Sequence, residues 1–372
     1  MGMTGGADQQ SFGRPRVLHV VAEMGTGGAE RVILHLARHG LGLAEVSVAG
    51  ADGEWSPRLA DHGAAFYPLP ARSATAWRVQ TVRRLRELIA AEQPDVVHVH
   101  NIRMSAFVRL ATLGMKDLPY IFTTMHGVPP ESEAMAVRVL RLAGWPVVNC
   151  APQMVDVMAS HGLPRSRQSV VINGGSMRRA DDSEIVTFAS THDIGETPVV
   201  IGLGRLVEQK AWHRLVEAAA SVPNAQVLIA GDGELRESLE ALADELGSPV
   251  RFLGQVGDPA PLVGLADVMV FASNWEGLPI AALEALSVGL PVVSTKASRI
   301  ADAVDSPAII TAEADTGPAL AKAINELVEN PDHLANLRLE ALEASKELTT
   351  EKMAQRYQAI YKAAQTKPPA TP

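Results

Sequence analysis

At 372 residues the chain is long for one core, and its length points to two domains. Hydrophobic residues make up 47% and charged residues 20%, and no apolar run approaches the roughly 18 residues of a membrane span, so the composition excludes a membrane-spanning protein and reads as globular. The formal net charge is -9. Residues 1–185 hold 19 Lys+Arg and 17 Asp+Glu, and the remainder holds 14 and 25, an acidic second half that argues against bulk nucleic-acid binding. The single cysteine, Cys150, excludes an internal disulfide framework and fits a reducing, cytoplasmic compartment.

The first stretch, MGMTGGADQQSFGRPR, has no apolar segment and reads as a loose leader rather than a signal peptide. RVLHVVA, Arg16 to Ala22, is the first strand, followed by the loop EMGTGGAE and a helix beginning RVILHLARHGL. Gly25, Gly27 and Gly28 let backbone amides approach a phosphate, but Glu30 stands where the dinucleotide pattern needs its third glycine. AEVSVAG, DVVHVH, YIFTTMHG, PVVNCAP and SVVING are further apolar runs of strand length, with helices such as the one containing RRLREL between them. Arg83, Arg84 and Arg86 mark one side of that helix. Such a patch suits peripheral contact with anionic lipid headgroups, and equally an ordinary solvated face. His98 and His100 share one face of a strand, yet no acidic or thiol third metal ligand stands nearby in sequence. His126 ends the next strand, at the carboxyl end where ligands gather in doubly wound sheets, or it simply caps that strand.

From INGGSMRRADDSEI the pattern dissolves into polar residues, as a hinge would. Alternation then restarts with PVVIGLGRL, the helix AWHRLVEAAASV, and the strands QVLIAGDGE, VRFLGQV, DVMVFAS, PVVSTK and PAIITA. The expected fold class is α/β, with two Rossmann-like doubly wound parallel-sheet domains. The boundaries read as 14–175, 187–347 and a last helix over 348–365. Residues after about Thr366 read as loose. That helix carries Met353, Tyr357, Ile360 and Tyr361 on one face, so it must dock on something.

The densest chemistry lies in Ala266 to Val293, where a buried strand is broken by WEG and followed by a helix with Pro279 at its first position, Gly289 past its last turn and Pro291 as the stop. Glu284 is the one charge on a helix with no solvated face, and a buried carboxylate needs a partner. Glu276 precedes it by eight positions, about 12 Å at most on helical spacing. Between them the amides of Gly277, Leu278 and Ile280 surround a helix N-terminus, which favours a phosphate. The plainer alternative makes Glu284 half of a structural ion pair and Glu276 a helix-entry residue. Arg205 and Lys210, in GRLVEQK, offer a guanidinium fork and a point charge for a leaving diphosphate. Asp232-Gly233-Glu234 and Glu313-Ala314-Asp315 fit a turn and a loop as readily as a metal site.

From GTGGAER through PDVVHVHN, TMHG, GRLVEQK and AGDGE to the two glutamates of EGLPIAALE, the chain resembles glycosyltransferase family 4, retaining enzymes of GT-B fold that use nucleotide sugars. The resemblance implies that Glu276 binds hydroxyls of the donor sugar, Glu284 the ribose, and Arg205 with Lys210 the diphosphate. It places His126 beside the sugar, the loop at Gly27 and Gly28 near the phosphate from the opposite domain, and Gly231, Arg251 and Phe252 near the base. Gly277, Leu278, Pro279 and Ile280 then form the phosphate cradle, the site lies in the cleft between domains, and the last helix crosses back to the first domain. Two departures stand out: Ala211 replaces the family's Gly after Lys210, and Ser298, Arg299 and Asp302 replace its Gly-Gly and Glu. Ala211 alters little unless the backbone there needs a positive φ.

The implied activity is metal-independent, retaining transfer of a sugar from a nucleotide diphosphate donor to an unidentified acceptor hydroxyl, with no cofactor and no nucleic-acid partner. A nucleotide-sugar epimerase or sugar phosphorylase on the same fold is one alternative, and a catalytically idle nucleotide-sugar-binding partner is another.

Overall fold

The computed structural model describes residues 13–40 and 44–365, so most of the leader and the chain after Gln365 lie outside the described residues. In chain order the first elements are β1 (Arg16–Glu23), α1 (Gly28–Gly40), β2 (Glu45–Ala51), β3 (Ala65–Pro68), α2 (Trp77–Glu92), β4 (Val96–Val99), α3 (Ile102–Ala111), β5 (Tyr120–Met125), α4 (Glu133–Ala143), β6 (Val147–Asn149), α5 (Gln153–Ser160) and β7 (Gln168–Val170). There follow α6 (Asp182–Thr191), β8 (Val199–Leu203), α7 (His213–Ala219), β9 (Gln226–Ala230), α8 (Arg236–Leu246), β10 (Arg251–Gly254), α9 (Ala260–Leu265), β11 (Val268–Phe271) and α10 (Ile280–Ser287). The chain continues with β12 (Val292–Ser294), α11 (Ile300–Ala303), β13 (Ile309–Thr311), α12 (Gly317–Val328), α13 (Pro331–Ser345) and α14 (Thr350–Gln365).

Two sheets result, one of seven strands in the order β3-β2-β1-β4-β5-β6-β7 and one of six in the order β10-β9-β8-β11-β12-β13. The pairs of the second sheet are all parallel. Their strands are apolar and buried almost throughout, as strands covered by helices on both faces must be. Compactness divides the chain into Met1–Thr124, Val139–Val147 and Ala354–Pro372 as one unit, and Met125–Arg138 with Val148–Met353 as the other. Cys150 is buried, and desolvation pushes its thiol up to about 12, so it stays protonated.

Two elements were not anticipated from sequence. β3 is four residues ending in Pro68, tolerable because it is the sheet's edge. In the stretch read as a hinge, α6 forms behind a capping box: Glu184 N donates to Asp181 Oδ1 and Asp181 N to Glu184 Oε2, both at 2.9 Å.

The first unit is built around β1 and β4, whose register sets His19 opposite His98. His98 Nε2 lies 2.7 Å from Thr124 Oγ1 and Nδ1 2.9 Å from the Tyr361 hydroxyl, and Tyr357 reaches Thr124 Oγ1 at 3.1 Å. Both tyrosines are buried, so this polar row seats the apolar face of α14 with its hydroxyls satisfied. His19 brings a third imidazole to the pair noted in sequence: its Nδ1 is 2.8 Å from His100 Nε2, and the three residues each have a ring nitrogen within 4.8 Å of the others. Both nitrogens of His98 are committed to Thr124 and Tyr361, which makes the cluster a hydrogen-bonded support for α14.

Desolvation pushes the His19 imidazole down to about 3, so the folded state holds it neutral while the unfolded chain protonates it near its ordinary 6.5. The unfolded state therefore binds more protons between those values. Its contribution to stability is intact above about pH 6.5 and is lost as pH falls toward about 3, with a slope of up to about 1.4 kcal/mol per pH unit. Urea unfolding between pH 7.5 and 5 should show this fall; a flat profile would mean that His19 charges within the fold.

Candidate functional site

The order of the second sheet reverses at β8, which lies between β9 and β11. Ligands in open parallel sheets gather outside the strand carboxyl ends at such a point. The loops leaving β8 and β11 are laced together there. Trp212, fully buried, donates from Nε1 to the Arg205 carbonyl at 2.9 Å and closes the first loop. Arg214 donates to the Ala272 carbonyl (2.7 Å) and Asn274 Oδ1 (2.8 Å), while Asn274 returns Nδ2 to the Glu208 carbonyl at 2.9 Å. Gln209 Nε2 donates to the Trp275 carbonyl at 3.2 Å.

This lacing holds Lys210 Nζ 2.6 Å from Glu276 Oε1, which also accepts from Ser273 Oγ at 2.6 Å. The lysine side chain is 16% exposed and the glutamate 7%, so little water screens the pair and both charges depend on it. Arg205, by contrast, is exposed, and among the described residues no side chain pairs with its guanidinium. Ala211 closes the turn at φ 47, the positive value under which its departure from Gly matters.

His126 and Gly127 press directly on Glu276 and Gly277. A Cβ on Gly277 would stand 2.1 Å from the His126 carbonyl oxygen, and one on Gly127, whose φ is +103, would stand 2.8 Å from the Gly277 nitrogen. Only two glycines permit this crossing of backbones. His126 is half-buried, and desolvation pushes its imidazole down to about 4, so it meets the site as a neutral group. α10 begins at Ile280 with Pro279 as its N-cap, one position before the place expected for that proline, and Gly289 is left-handed at φ 85 as its position suggests. Leu278, Ile280 and Glu284 are buried, and Glu284 is not without a partner.

Around the remaining strand ends, a Cβ on Gly231 would stand 1.9 Å from the Gly204 carbonyl oxygen, so β9 leaves the sheet pressed against the loop after β8. Arg251 donates to the carbonyls of His192 and Asp193 at the end of α6, which occupies its guanidinium with a structural bond. Phe252 packs on the second core beneath the Arg236 guanidinium, 5.3 Å from its ring. In the other unit, Gly27 precedes α1 and Gly28 opens it. Of the basic patch on α2, Arg83 donates to Glu87 at 2.8 Å, and Arg86 donates to the carbonyls of Ala111 and Leu113.

Beside Glu276 opens a cavity whose other walls include Gly127, Trp275, Gln153, Met154 and Arg299. The sequence reading gave no role to Gln209, Trp212, Arg214, Ser273, Asn274 or Gln153. Ser273 and Asn274 had one readable sign, polar residues ending a buried strand just before Glu276.

Comparisons with known proteins agree with this geometry. The family model described as Glycosyltransferase Family 4 matches residues 26–176, and that described as Glycosyl transferases group 1 matches residues 187–344. The lipopolysaccharide core biosynthesis glycosyltransferase LpsE of Rhizobium meliloti (strain 1021) is 27% identical over 293 residues, 73% of this chain and 76% of its own. The UDP-Gal:alpha-D-GlcNAc-diphosphoundecaprenol alpha-1,3-galactosyltransferase of Escherichia coli is 27% identical over 236 residues, 56% of this chain and 58% of its own. Anabaena HepE, solved in complex with UDP-glucose, superposes with a TM-score of 0.84 at 20% identity, over 94% of this chain and 100% of that one. The chain belongs to the glycosyltransferases of the family 4 type and has their GT-B fold. It is a glycosyltransferase. Among the described residues no helix is long and apolar enough to cross a membrane.

The Lys210 to Glu276 pair predicts a measurable coupling. A double-mutant cycle with Glu276→Gln and Lys210→Met should return about 1–3 kcal/mol by chemical denaturation, because each single change leaves its partner poorly solvated. Additive losses would show that the two charges are independently solvated.

Proposed function

We propose that the chain is a retaining, metal-independent glycosyltransferase acting in the cytoplasm, which moves a sugar from a nucleoside diphosphate sugar to an acceptor hydroxyl. The observation that carries this reading is the shielded Lys210 to Glu276 pair at the switch point of the second sheet, beside the unpaired cation of Arg205. A carboxylate there suits sugar hydroxyls, and two cations beside it suit a diphosphate. The Escherichia coli relative is named for a UDP-galactose donor, and HepE was solved with UDP-glucose, which supports a nucleotide sugar here.

In this reading Glu276 orients the sugar, Lys210 stands between that carboxylate and the diphosphate, and Arg205 takes phosphate oxygens. Glu284 holds the ribose, the amides of Gly277 to Ile280 face the phosphate, and Gly231 lets the chain clear the nucleotide. Neutral His126 is a hydrogen-bonding neighbour of the sugar that adds no charge to it. The bond from the anomeric carbon to the diphosphate oxygen breaks, and the acceptor oxygen bonds to that carbon on the same face. The acceptor proton passes to the departing phosphate. Charge grows on the leaving oxygens, where Lys210 and Arg205 are already in place, so their stabilisation needs little reorganisation. No enzyme carboxylate forms a covalent bond to the sugar.

Turnover in excess EDTA should match turnover in Mg²⁺, and proton NMR of the product should show the donor's anomeric configuration. Activity restored only by metal, or an inverted linkage, would overturn the corresponding half of the reading.

The two glutamates should fail differently. Glu276→Ala should leave nucleoside diphosphate affinity nearly unchanged, since that ligand has no sugar, while turnover falls by roughly 10² or more. Glu284→Ala removes a charge-assisted hydrogen bond of about 1.5–3 kcal/mol, a loss of tens-fold or so in affinity for the same diphosphate. Calorimetry with UDP, GDP and ADP measures both, and wild-type affinity in both mutants would remove these assignments.

A further inference from the structure

The cavity beside Glu276 has a polar wall that the proposed reaction leaves unused. Arg299, which lines it, sits at φ 54, in the left-handed region that glycine enters freely and side-chain-bearing residues enter at a cost. Strained backbone of this kind persists where the surroundings fix it, and it concentrates at ligand sites. Here Gln153 Nε2 donates to the Arg299 carbonyl at 3.3 Å, and Arg299 Nε donates to Asp302 at 2.9 Å. Asp302 thus takes one N–H of the fork, and among the described residues nothing else takes the rest. The arginine and aspartate side chains are 39% and 51% exposed, so their ion pair steers the guanidinium without saturating it. Gln153 Oε1 is buried and has no partner among the described residues. The acidic groups on the same cavity are engaged: Glu276 by Lys210, and Glu133 by His161 Nε2 at 3.0 Å.

A left-handed arginine with open N–H groups and a buried, unpaired amide oxygen therefore face the space next to the sugar carboxylate. We propose that Arg299 and Gln153 form a subsite for an anionic substrate, the guanidinium taking a carboxylate or phosphate and Gln153 Oε1 accepting a neighbouring hydroxyl. A planar fork matches either anion in two-point contact, which a neutral hydroxyl does not offer. The anion is carried either by the donor, as a hexuronate, or by the acceptor, as a phosphorylated sugar. The inference rests on the nucleotide-sugar reading of this pocket.

Calorimetry on the full chain separates the two sources. In the donor arm, the hexose and hexuronate conjugates of whichever diphosphate binds (UDP, GDP or ADP) are compared. In the acceptor arm, protein saturated with that diphosphate is titrated with glucose and with glucose 6-phosphate. One arm should show at least about a tenfold preference for the anionic ligand, as a charge-assisted fork contact provides. Arg299→Gln and Arg299→Gly should abolish it, and Arg299→Lys should keep part. All three should bind the diphosphate within about twofold of wild type, and Arg299→Gly should melt no lower than wild type, because glycine relieves the left-handed strain. Equal binding of neutral and anionic ligands in both arms, or a preference that survives Arg299→Gln, would overturn the subsite while diphosphate binding left the wider reading intact. Failure of UDP, GDP and ADP alike to bind would overturn both.

Discussion

A lysine and a carboxylate that have both lost most of their water must stay together, and the second half of this molecule is arranged so that they do. Lys210 and Glu276 are 66 residues apart, and the parallel pairing of β8 with β11 brings their loops to the same sheet end. Pairing alone fixes strands and leaves loops free. The remaining freedom is removed by Trp212 under the Arg205 carbonyl and by Arg214, Asn274 and Gln209, which tie one loop to the other. Each of these bonds satisfies a backbone carbonyl or a side-chain acceptor that would otherwise face a dry interior at a cost of about 1–3 kcal/mol. The geometry of the charged pair is therefore set by neutral groups behind it, which is what preorganisation of a site requires.

A second constraint is steric. His126 reaches Glu276 only because Gly127 and Gly277 let two backbones cross in contact, and any side chain at Gly277 would fall inside the carbonyl of His126. The same closeness strips water from the imidazole and keeps it neutral. A charged histidine there would compete with Lys210 for the carboxylate, so packing and electrostatics require the same thing of this residue.

The sequence made the sheets legible because parallel strands buried on both faces are unbroken apolar runs, and the strands ending at Leu203, Ala230 and Phe271 all declare themselves so. β3 was hidden by brevity and by Pro68, signals that argue against a strand unless its edge position is known. α6 was hidden by polarity, although Asp181 and Glu184 carried a capping-box spacing that polar composition obscured. Of the candidate site, Glu276 and Lys210 could be named but not joined, since contact between residues so distant in sequence is a property of strand order. Arg251 shows the converse limit: an arginine beside a strand end reads as a ligand group, and here its guanidinium is occupied by the carbonyls ending α6. His19 gave no sign at all, because its partners come from another strand and from a helix more than 300 residues later.

Bulk charge and local charge point in opposite directions in this chain. The second half carries an excess of acid, a field that repels a diphosphate at long range, yet screening confines that field to roughly 10 Å at ordinary ionic strength. Within that distance the strand ends decide the outcome. Much of the acid is held elsewhere: Asp258 and Glu184 by Arg178, Glu313 by Lys322, Asp267 by Arg338. Arg205 is left open and Lys210 is held by a single carboxylate that also turns toward the cavity. The first unit meets burial in the other way, keeping His19 neutral beside two further imidazoles rather than pairing charges. Charge is thus retained where a phosphate would need it and removed where a helix has to dock, and the net charge of either half reveals neither arrangement.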